Sequence, residues 1–130
     1  MPWDLKSDRP IYTQLIEQIE LMICSGMYEL GSKLPSVRDL AQEAAVNPNT
    51  MQKALAKLEE DELLYTNRTS GRFVTENSNI VKQVKSRLAQ SQINDFLDKM
   101  KNLGFKNDEI ISLVENILES KEDDDSEYNS

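Results

Sequence analysis

Basic and polar residues cluster in two stretches of this chain that contain no acid. The stretches span residues 44–58 and 63–75, and four consecutive acids separate them at positions 59–62. Their basic residues are Lys53, Lys57, Arg68 and Arg72. Because phosphate binding needs local positive charge, the pattern predicts two surfaces suited to a phosphate backbone.

The total charge of the chain points the other way. Its 130 residues include 15 Lys and Arg against 23 Asp and Glu, for a net charge of −8. Residues 119–130 hold six acids and one Lys and contribute −5, which leaves −3 for the rest of the chain. Since this segment lacks apolar periodicity, we expect an acidic disordered tail over residues 121–130. The acidity therefore does not exclude a nucleic-acid partner.

The composition excludes several kinds of chemistry. The chain has no His and a single Cys, which rules out a nitrogen and sulfur zinc set within one chain and both Ser-His-Asp and Cys-His catalysis. No pair of carboxylates is placed in a recognisable cleft, so we predict no catalytic residue, no metal and no cofactor. Short apolar runs and a lone thiol predict a protein of the reducing cytoplasm with no membrane span.

Apolar spacing and capping residues predict three helices before the second basic stretch. The first, over residues 10–27, repeats apolar residues at intervals of three and four. The second begins after Ser36, whose hydroxyl can cap it, and ends near Ala45. Asn47 can cap the third helix, where Pro48 suits the first position and a buried apolar stripe backs a polar, basic face.

The rest of the chain predicts a β-hairpin and then a helical hairpin. β-Forming residues predict two short strands at residues 63–66 and 72–75. Helical spacing resumes over residues 80–103, stops at Gly104 and continues from Asp108. Because a two-stranded hairpin is marginal alone, we expect it to pack on the helices that precede it.

Three helices followed by a hairpin, with a tight turn between the second and third, form the pattern of a winged helix-turn-helix. In this fold the third helix enters the major groove of DNA, and we expect the hairpin tip to lie against the neighbouring backbone or minor groove. The two acid-free stretches coincide with those two elements. We predict a mostly α protein with a small β-hairpin, in which a winged helix-turn-helix is followed by a two-helix dimerisation hairpin.

Sequence motifs over residues 10–75 add a family resemblance. They include PIYTQL at residues 10–15, LPSVRDLA at residues 34–41 and GRFV at residues 71–74. The matching residues between these motifs are Gly26, Gly31, Val46, Asn47, Asn49, Thr50, Met51, Ala54, Leu55, Leu58, Leu63 and Leu64. Taken in order, they resemble the GntR family of bacterial transcription regulators. The resemblance implies a sequence-specific DNA-binding regulator, most simply a repressor, and not an enzyme.

The remainder of the chain resembles the short YtrA-type subfamily. Its two predicted helices carry FLDKMKNLGF at residues 96–105, where larger subfamilies carry a long ligand-binding or aminotransferase-like domain. The resemblance implies dimerisation through these helices and a regulated operon that includes transporter genes. We expect a winged-helix domain at residues 1–76, a helical dimerisation or effector region at residues 77–120, and the acidic tail at residues 121–130.

Three positions depart from the family pattern. Glu62 stands where the family often has Gly, so a left-handed turn there is less easy. Thr69 replaces the first Gly of the usual wing, which removes close backbone approach at Thr69 but not at Gly71. Pro48 stands where Arg or another polar residue is frequent, so one base or phosphate contact is missing.

The resemblance and the charge pattern together give a set of candidate DNA contacts. We expect Arg38 to face a guanine edge, for which a bidentate guanidinium is suited. Ser36 is a helix cap and also a candidate phosphate contact. The full set is Lys33, Ser36, Arg38, Asn49, Thr50, Gln52, Lys53, Arg68, Gly71 and Arg72. Ordinary surface charge is the alternative for Lys33 and for the two wing arginines.

Many large apolar residues occupy the two C-terminal helices, too many to be hidden against each other. An exposed patch of that kind marks an interface, and palindromic operators require two-fold symmetry, so we expect a homodimer. The predicted interface residues are Leu88, Phe96, Leu97, Met100, Ile110, Ile111, Val114 and Ile117. Packing against the DNA-binding domain of the same chain is the alternative. No cluster of convergent polar groups identifies a small-molecule effector, which stays an open partner beside double-stranded DNA.

A winged-helix module that binds proteins instead of DNA is the alternative function. The acidic total and the acidic tail motivate it. This alternative predicts a stable partner complex that survives loss of Lys53 and Arg68, and it predicts no protected DNA.

Overall fold

A computed structural model describes residues 3–129, with side chains described through residue 122. The chain forms two compact units, Met1–Leu88 and Ala89–Ser130. The described residues form α1 (Ile11–Cys24), α2 (Val37–Ala44), α3 (Pro48–Glu60), β1 (Leu64–Asn67), β2 (Gly71–Val74), α4 (Ser78–Asn102) and α5 (Asn107–Asn129). None of these helices is both long and apolar enough to cross a membrane. The element order confirms the predicted winged helix-turn-helix followed by two helices.

Side-chain caps fix the tight turn between α2 and α3. The Ser36 hydroxyl accepts a hydrogen bond from the Asp39 N–H at 3.1 Å, and the Asn47 side-chain oxygen accepts one from the Asn49 N–H at 2.8 Å. Ala45 ends α2 in the left-handed region at φ +56°. Both predicted caps are confirmed, and they place the start of α3 directly after a three-residue turn.

A third extended segment braces the wing. β1 and β2 pair in antiparallel register, with Leu64 opposite Val74. On its other edge β2 exchanges backbone hydrogen bonds of 2.9 Å with residues 32–34, and Lys33 forms an isolated bridge with Phe73. The segment that leads into α2 is therefore held against the same strand that forms one side of the wing.

The core of the first unit lies between its helices and the base of the wing. α1 and α2 both pack against α3, and α3 packs against β1. Fully buried members of this core include Leu15, Leu40, Met51, Leu55, Leu58, Leu63 and Val74. Ile80, Val81 and Val84 at the start of α4 pack against it, so the first compact unit extends beyond residue 76. The functional division at residues 76 and 120 stays a prediction.

The second unit contains the end of α4, a short turn and α5. Gly104 adopts φ +99°, and its N–H donates to the Lys101 carbonyl at 2.9 Å. The Phe105 N–H donates to the Met100 carbonyl at 3.2 Å, which confirms the predicted break at Gly104. Disorder was expected for the acidic tail at residues 121–130, but α5 continues through Asn129, so the backbone of residues 121–129 is helical.

Candidate DNA-binding surface

The polar face of α3 points to solvent at its N-terminal end. Asn49, Gln52 and Lys53 are exposed, and Thr50 is partly buried. The opposite face of α3 is buried in the core and consists of Met51, Ala54, Leu55 and Leu58. Since these apolar residues fix the rotation of the helix, the four predicted contacts share the face that remains accessible.

A shallow groove between α1 and α3 brings two of these contacts together. Its lining consists of Tyr12, Thr50, Lys53, Ala56, Lys57 and Glu60. Thr50 and Lys53 are three residues apart, so they are neighbours on the helix surface. Tyr12, which sequence reasoning treated as a packing residue, lines the same groove. The sequence signal that could have identified Tyr12 as part of this groove was its place in the PIYTQL motif at residues 10–15.

The first turn of α2 presents Ser36 and Arg38. Arg38 is exposed, and within residues 3–122 its guanidinium forms no ion pair. Ser36 is exposed, and its oxygen accepts the capping hydrogen bond from the Asp39 N–H. Because a hydroxyl donates as well as accepts, Ser36 can cap α2 and still donate to a phosphate oxygen.

Lys33, Arg68 and Gly71 lie on the wing and the segment that braces it. A Cβ built on Gly71 would lie 3.1 Å from Lys33 Cε, so the lysine side chain passes directly beside this glycine. Gly71 also adopts φ +110°, which a residue with a side chain rarely tolerates. Arg68 is exposed in the turn between β1 and β2. The geometry thus brings Lys33 to the wing, close to Gly71.

Arg72 differs from the other candidates because it is held by an acid of the same chain. Its Nε donates to Oε1 of Glu59, and the Thr66 hydroxyl donates to the same oxygen. Burial works to raise the pKa of Glu59, but the hydrogen bonds from Thr66 and Arg72 and the Arg72 charge outweigh it and lower the pKa. A phosphate contact by Arg72 stays a prediction. Sequence reasoning did not identify Glu59 as part of the site.

Ion pairs divide the six basic residues between positions 33 and 72 into two groups. Lys57 lies 3.4 Å from Asp61 and 3.9 Å from Glu60, and these carboxylates raise its pKa. Arg72 is paired with Glu59. Among side chains of residues 3–122, no acid pairs with Lys33, Arg38, Lys53 or Arg68. The acids at positions 59–62 therefore neutralise two basic residues and leave four others uncompensated.

The predicted interface residues of the C-terminal helices differ in exposure. Phe96, Ile111 and Ile117 are exposed, whereas Ile110 is only 3% exposed and is buried within the chain. Partly buried members are Leu88, Leu97, Met100 and Val114. Further exposed apolar residues of the second unit, outside the predicted set, are Ile93, Leu103, Leu113 and Leu118. This unit leaves a large apolar surface in solvent.

Two relatives share most of the chain. It is 33% identical over 88% of its length to the uncharacterized HTH-type transcriptional regulator YhcF of Bacillus subtilis, and the match covers 94% of that protein. It is 35% identical over 77% of its length to the HTH-type transcriptional repressor YtrA of the same organism, covering 72% of it. Both relatives are named as regulators of transcription and not as enzymes.

Solved structures and a family model agree with these relatives. A GntR family transcriptional regulator from Listeria monocytogenes matches with a TM-score of 0.79 at 38% identity, covering 86% of this chain and 98% of that one. AraR(DBD) in complex with operator ORR3 matches with a TM-score of 0.50 at 31% identity, covering 58% and 90%. The model of bacterial regulatory proteins, gntR family, matches residues 11–74. The chain belongs to the GntR family, as a DNA-binding transcriptional regulator of the short YtrA type.

Proposed function

We propose that the protein is a homodimeric repressor that binds a palindromic operator in a sequence-specific manner. The observation that carries the proposal is the uncompensated positive charge of the winged-helix unit. Lys33, Arg38, Lys53 and Arg68 have no acidic partner among residues 3–122, although the chain is acidic overall. Phosphates are the natural counterions for such a surface.

In this proposal α3 lies in the major groove with its N-terminal turns toward the base edges. Asn49, Thr50 and Gln52 offer amide and hydroxyl groups that match base edges or phosphates. Lys53 follows on the same accessible face and neutralises phosphate. Arg38 reaches a guanine edge from the first turn of α2. Its guanidinium donates two parallel hydrogen bonds to that one base.

The wing and its bracing segment contact the neighbouring backbone. Arg68 and Lys33 supply positive charge, and Gly71 allows the backbone to approach closely because it has no side chain. Ser36 donates its free hydroxyl proton to a phosphate. Arg72 is the weakest member of the set, because its Nε is already engaged by Glu59 and only its terminal amino groups are left for DNA.

The two C-terminal helices form the dimer interface in this proposal. Exposed apolar residues such as Phe96, Ile111 and Ile117 would be covered by the same surface of a second chain. A two-fold axis between the copies sets two α3 helices at successive major grooves, which matches a palindromic operator. The relative YtrA is named a repressor, and the AraR domain is seen with an operator, which supports this mode of action.

Regulation follows from operator occupancy. We propose that the bound dimer occludes a promoter in the cytoplasm and that the regulated operon includes transporter genes, as the resemblance to the short subfamily implies. A signal that favours one arrangement of the two heads would shift the population toward or away from DNA binding. A small-molecule effector is compatible with this scheme, and within residues 3–122 no cluster of convergent polar groups gives it a site.

Footprinting on the region upstream of the gene tests the proposal most fully. The expected result is two protected half-sites of inverted sequence, with centres about 10 base pairs or a multiple apart. Protection by Arg38→Ala should require about tenfold more protein than protection by the wild type. Absence of any protected segment, with the protein folded and dimeric, would contradict the proposal.

The acidic composition favours one second candidate, a winged-helix module that binds a protein partner. The chain has a net charge of −8, which is unusual for a protein that binds phosphate, and residues 119–130 contribute −5 of that charge. This function predicts a partner complex that persists in the double variant Lys53→Ala, Arg68→Ala. If the double variant loses DNA binding, and neither the wild type nor the variant forms a partner complex, the repressor function is favoured.

A further inference from the structure

One carboxylate oxygen of α3, the recognition helix of the proposed function, accepts hydrogen bonds from both strands of the wing. Glu59 lies in the last turn of α3, and its Oε1 accepts hydrogen bonds from the Thr66 hydroxyl and from Arg72 Nε. Thr66 and Arg72 are direct cross-strand partners on β1 and β2. The wing is therefore tied to α3 through each of its strands, at a single point near the middle of the hairpin.

The contact is partly sheltered from water. The side chains of Arg72 and Glu59 are 16% and 29% exposed. Charge-assisted hydrogen bonds of this kind are stronger than bonds between neutral groups, and partial burial reduces the screening that weakens ion pairs on open surfaces. Two donors on one oxygen also fix direction, since rotation of the hairpin about α3 would break at least one of them.

We infer that Glu59 is a positioning residue for DNA binding, one that holds the wing at a fixed angle to the recognition helix. The inference depends on the proposed function. In this role Glu59 touches no DNA. It determines where Arg68 and Gly71 lie when α3 occupies the major groove. Removing it lets the tip of the hairpin move, although residues 32–34 still brace β2, so binding must then fix the tip at an entropic cost.

The sign of the effect separates this role from simple electrostatics. A carboxylate close to a DNA-binding surface repels phosphate, so its removal should strengthen binding if charge alone matters. A positioning role predicts weaker binding despite the loss of a negative charge. Glu60 provides the matched control, because it is the next residue of the same helix, is exposed, and pairs only with Lys57 among the described side chains.

The experiment compares Glu59→Ala, Glu60→Ala and the wild-type dimer on the footprinted operator. We expect Glu59→Ala to bind about fivefold more weakly, which corresponds to a coupling of about 1 kcal/mol. We expect Glu60→Ala to bind as tightly as the wild type or more tightly. Hydroxyl-radical cleavage should show that Glu59→Ala loses the same part of the footprint that Arg68→Ala loses, while the part protected by α3 persists.

A second variant guards against a folding defect. Thr66→Val removes one of the two hydrogen bonds, keeps the charge and keeps a β-branched residue in the strand. We expect about a twofold loss of operator affinity with an unchanged thermal midpoint, since the ion pair between Glu59 and Arg72 remains after this one hydrogen bond is lost.

Three results have distinct meanings. Operator affinity of Glu59→Ala equal to or above that of Glu60→Ala, with the wing footprint intact, overturns the positioning role. Wild-type affinity of Thr66→Val overturns it as well if Glu59→Ala is unfolded. Failure of the wild type itself to prefer the operator over scrambled DNA overturns the proposed function and thereby the inference that depends on it.

Discussion

Glu20 of α1 and Arg87 of α4 form an ion pair between residues that are 67 positions apart in the chain. The Glu20 side chain is only 5% exposed, whereas Arg87 is largely in solvent. The pair lies in the first compact unit, where Ile80, Val81 and Val84 of α4 also pack on the core. Polar and apolar contacts thus attach the first turns of α4 to the winged helix.

The buried carboxylate of Glu20 makes stability depend on pH. Burial raises its pKa above the ordinary value of 4.5, although the charge and hydrogen bond of Arg87 act to lower it. The folded state therefore holds the proton more tightly than the unfolded state, and this group costs stability as the pH rises from about 4.5 through the raised pKa. We expect the free energy of unfolding of the wild type to fall over that window relative to Glu20→Gln.

Urea denaturation of both proteins across the window measures this difference. Other carboxylates, including Glu59 with its lowered pKa, are present in both proteins and cancel in the comparison. The difference in free energy of unfolding between the two proteins could instead stay constant with pH or change in favour of the wild type. Either result would show that burial does not raise the pKa of Glu20.

Glu62 occupies a backbone conformation that favours glycine. It adopts φ +67° between α3 and β1, and its N–H donates to the Glu59 carbonyl at 2.9 Å. We expect Glu62→Gly to raise the free energy of unfolding by about 1 kcal/mol, because a left-handed conformation costs a non-glycine residue about that much. Chemical denaturation is the measurement.

Glu60→Gly is the matched control for that substitution. It removes the same charge two residues earlier, at the last residue of α3, and we expect it to leave stability unchanged or to lower it, because Glu60 has no positive φ that glycine would relieve. Equal effects of the two substitutions would refute the assignment of strain to Glu62.

Ser36 has two predicted roles that one substitution can separate. Asp caps a helix N-terminus as well as Ser does and is favoured there by the helix dipole, so Ser36→Asp should keep the hydrogen bond from the Asp39 N–H. A carboxylate at this position repels phosphate. We therefore expect unchanged thermal stability. Operator affinity should fall about tenfold, because one phosphate contact is lost and a repulsive charge is added. Retained affinity would restrict Ser36 to capping.

The apolar surface of the second unit predicts the oligomeric state. Ile111 is exposed on α5, and we expect Ile111→Glu to convert a dimer into a monomer, because a buried unpaired carboxylate costs far more than one interface contact supplies. Leu30 is an exposed apolar residue of the first unit, and the Leu30→Glu protein should remain dimeric. Analytical ultracentrifugation checks both. A dimeric Ile111→Glu protein would place the interface elsewhere.

The features that could be predicted from the sequence are those set by interactions between residues close together in the chain. Ser36 and Asn47 each accept the predicted type of capping bond, and Gly104 takes the predicted left-handed conformation, because capping and backbone sterics act within a few residues. The candidate contacts on α3 could be assigned to the exposed face because the apolar period of the helix fixes its rotation.

Contacts between distant segments could not be predicted in the same way. Arg72, which the sequence predicted as a DNA contact, lies on the same side of β2 as buried Val74. Its partner Glu59 belongs to another element, and only the packing of α3 on β1 brings the two together. The Glu20 and Arg87 pair is longer in range still, and no pattern along the chain connects them.

Operator discrimination by Arg38 is the most direct test of the central claim. The measurement is the affinity of wild type, Arg38→Ala and Arg9→Ala for the operator and for a scrambled duplex across a series of salt concentrations. Arg9 is the control, since it is an exposed arginine of the same unit whose guanidinium lies 3.0 Å from Glu17. We predict at least a thousandfold preference of the wild type for the operator, within the range of about 10³ to 10⁷ typical of specific regulators. Arg38→Ala should lose about tenfold of that preference and Arg9→Ala none. Equal affinity of the wild type for both duplexes, or an unchanged preference in Arg38→Ala, would contradict the account.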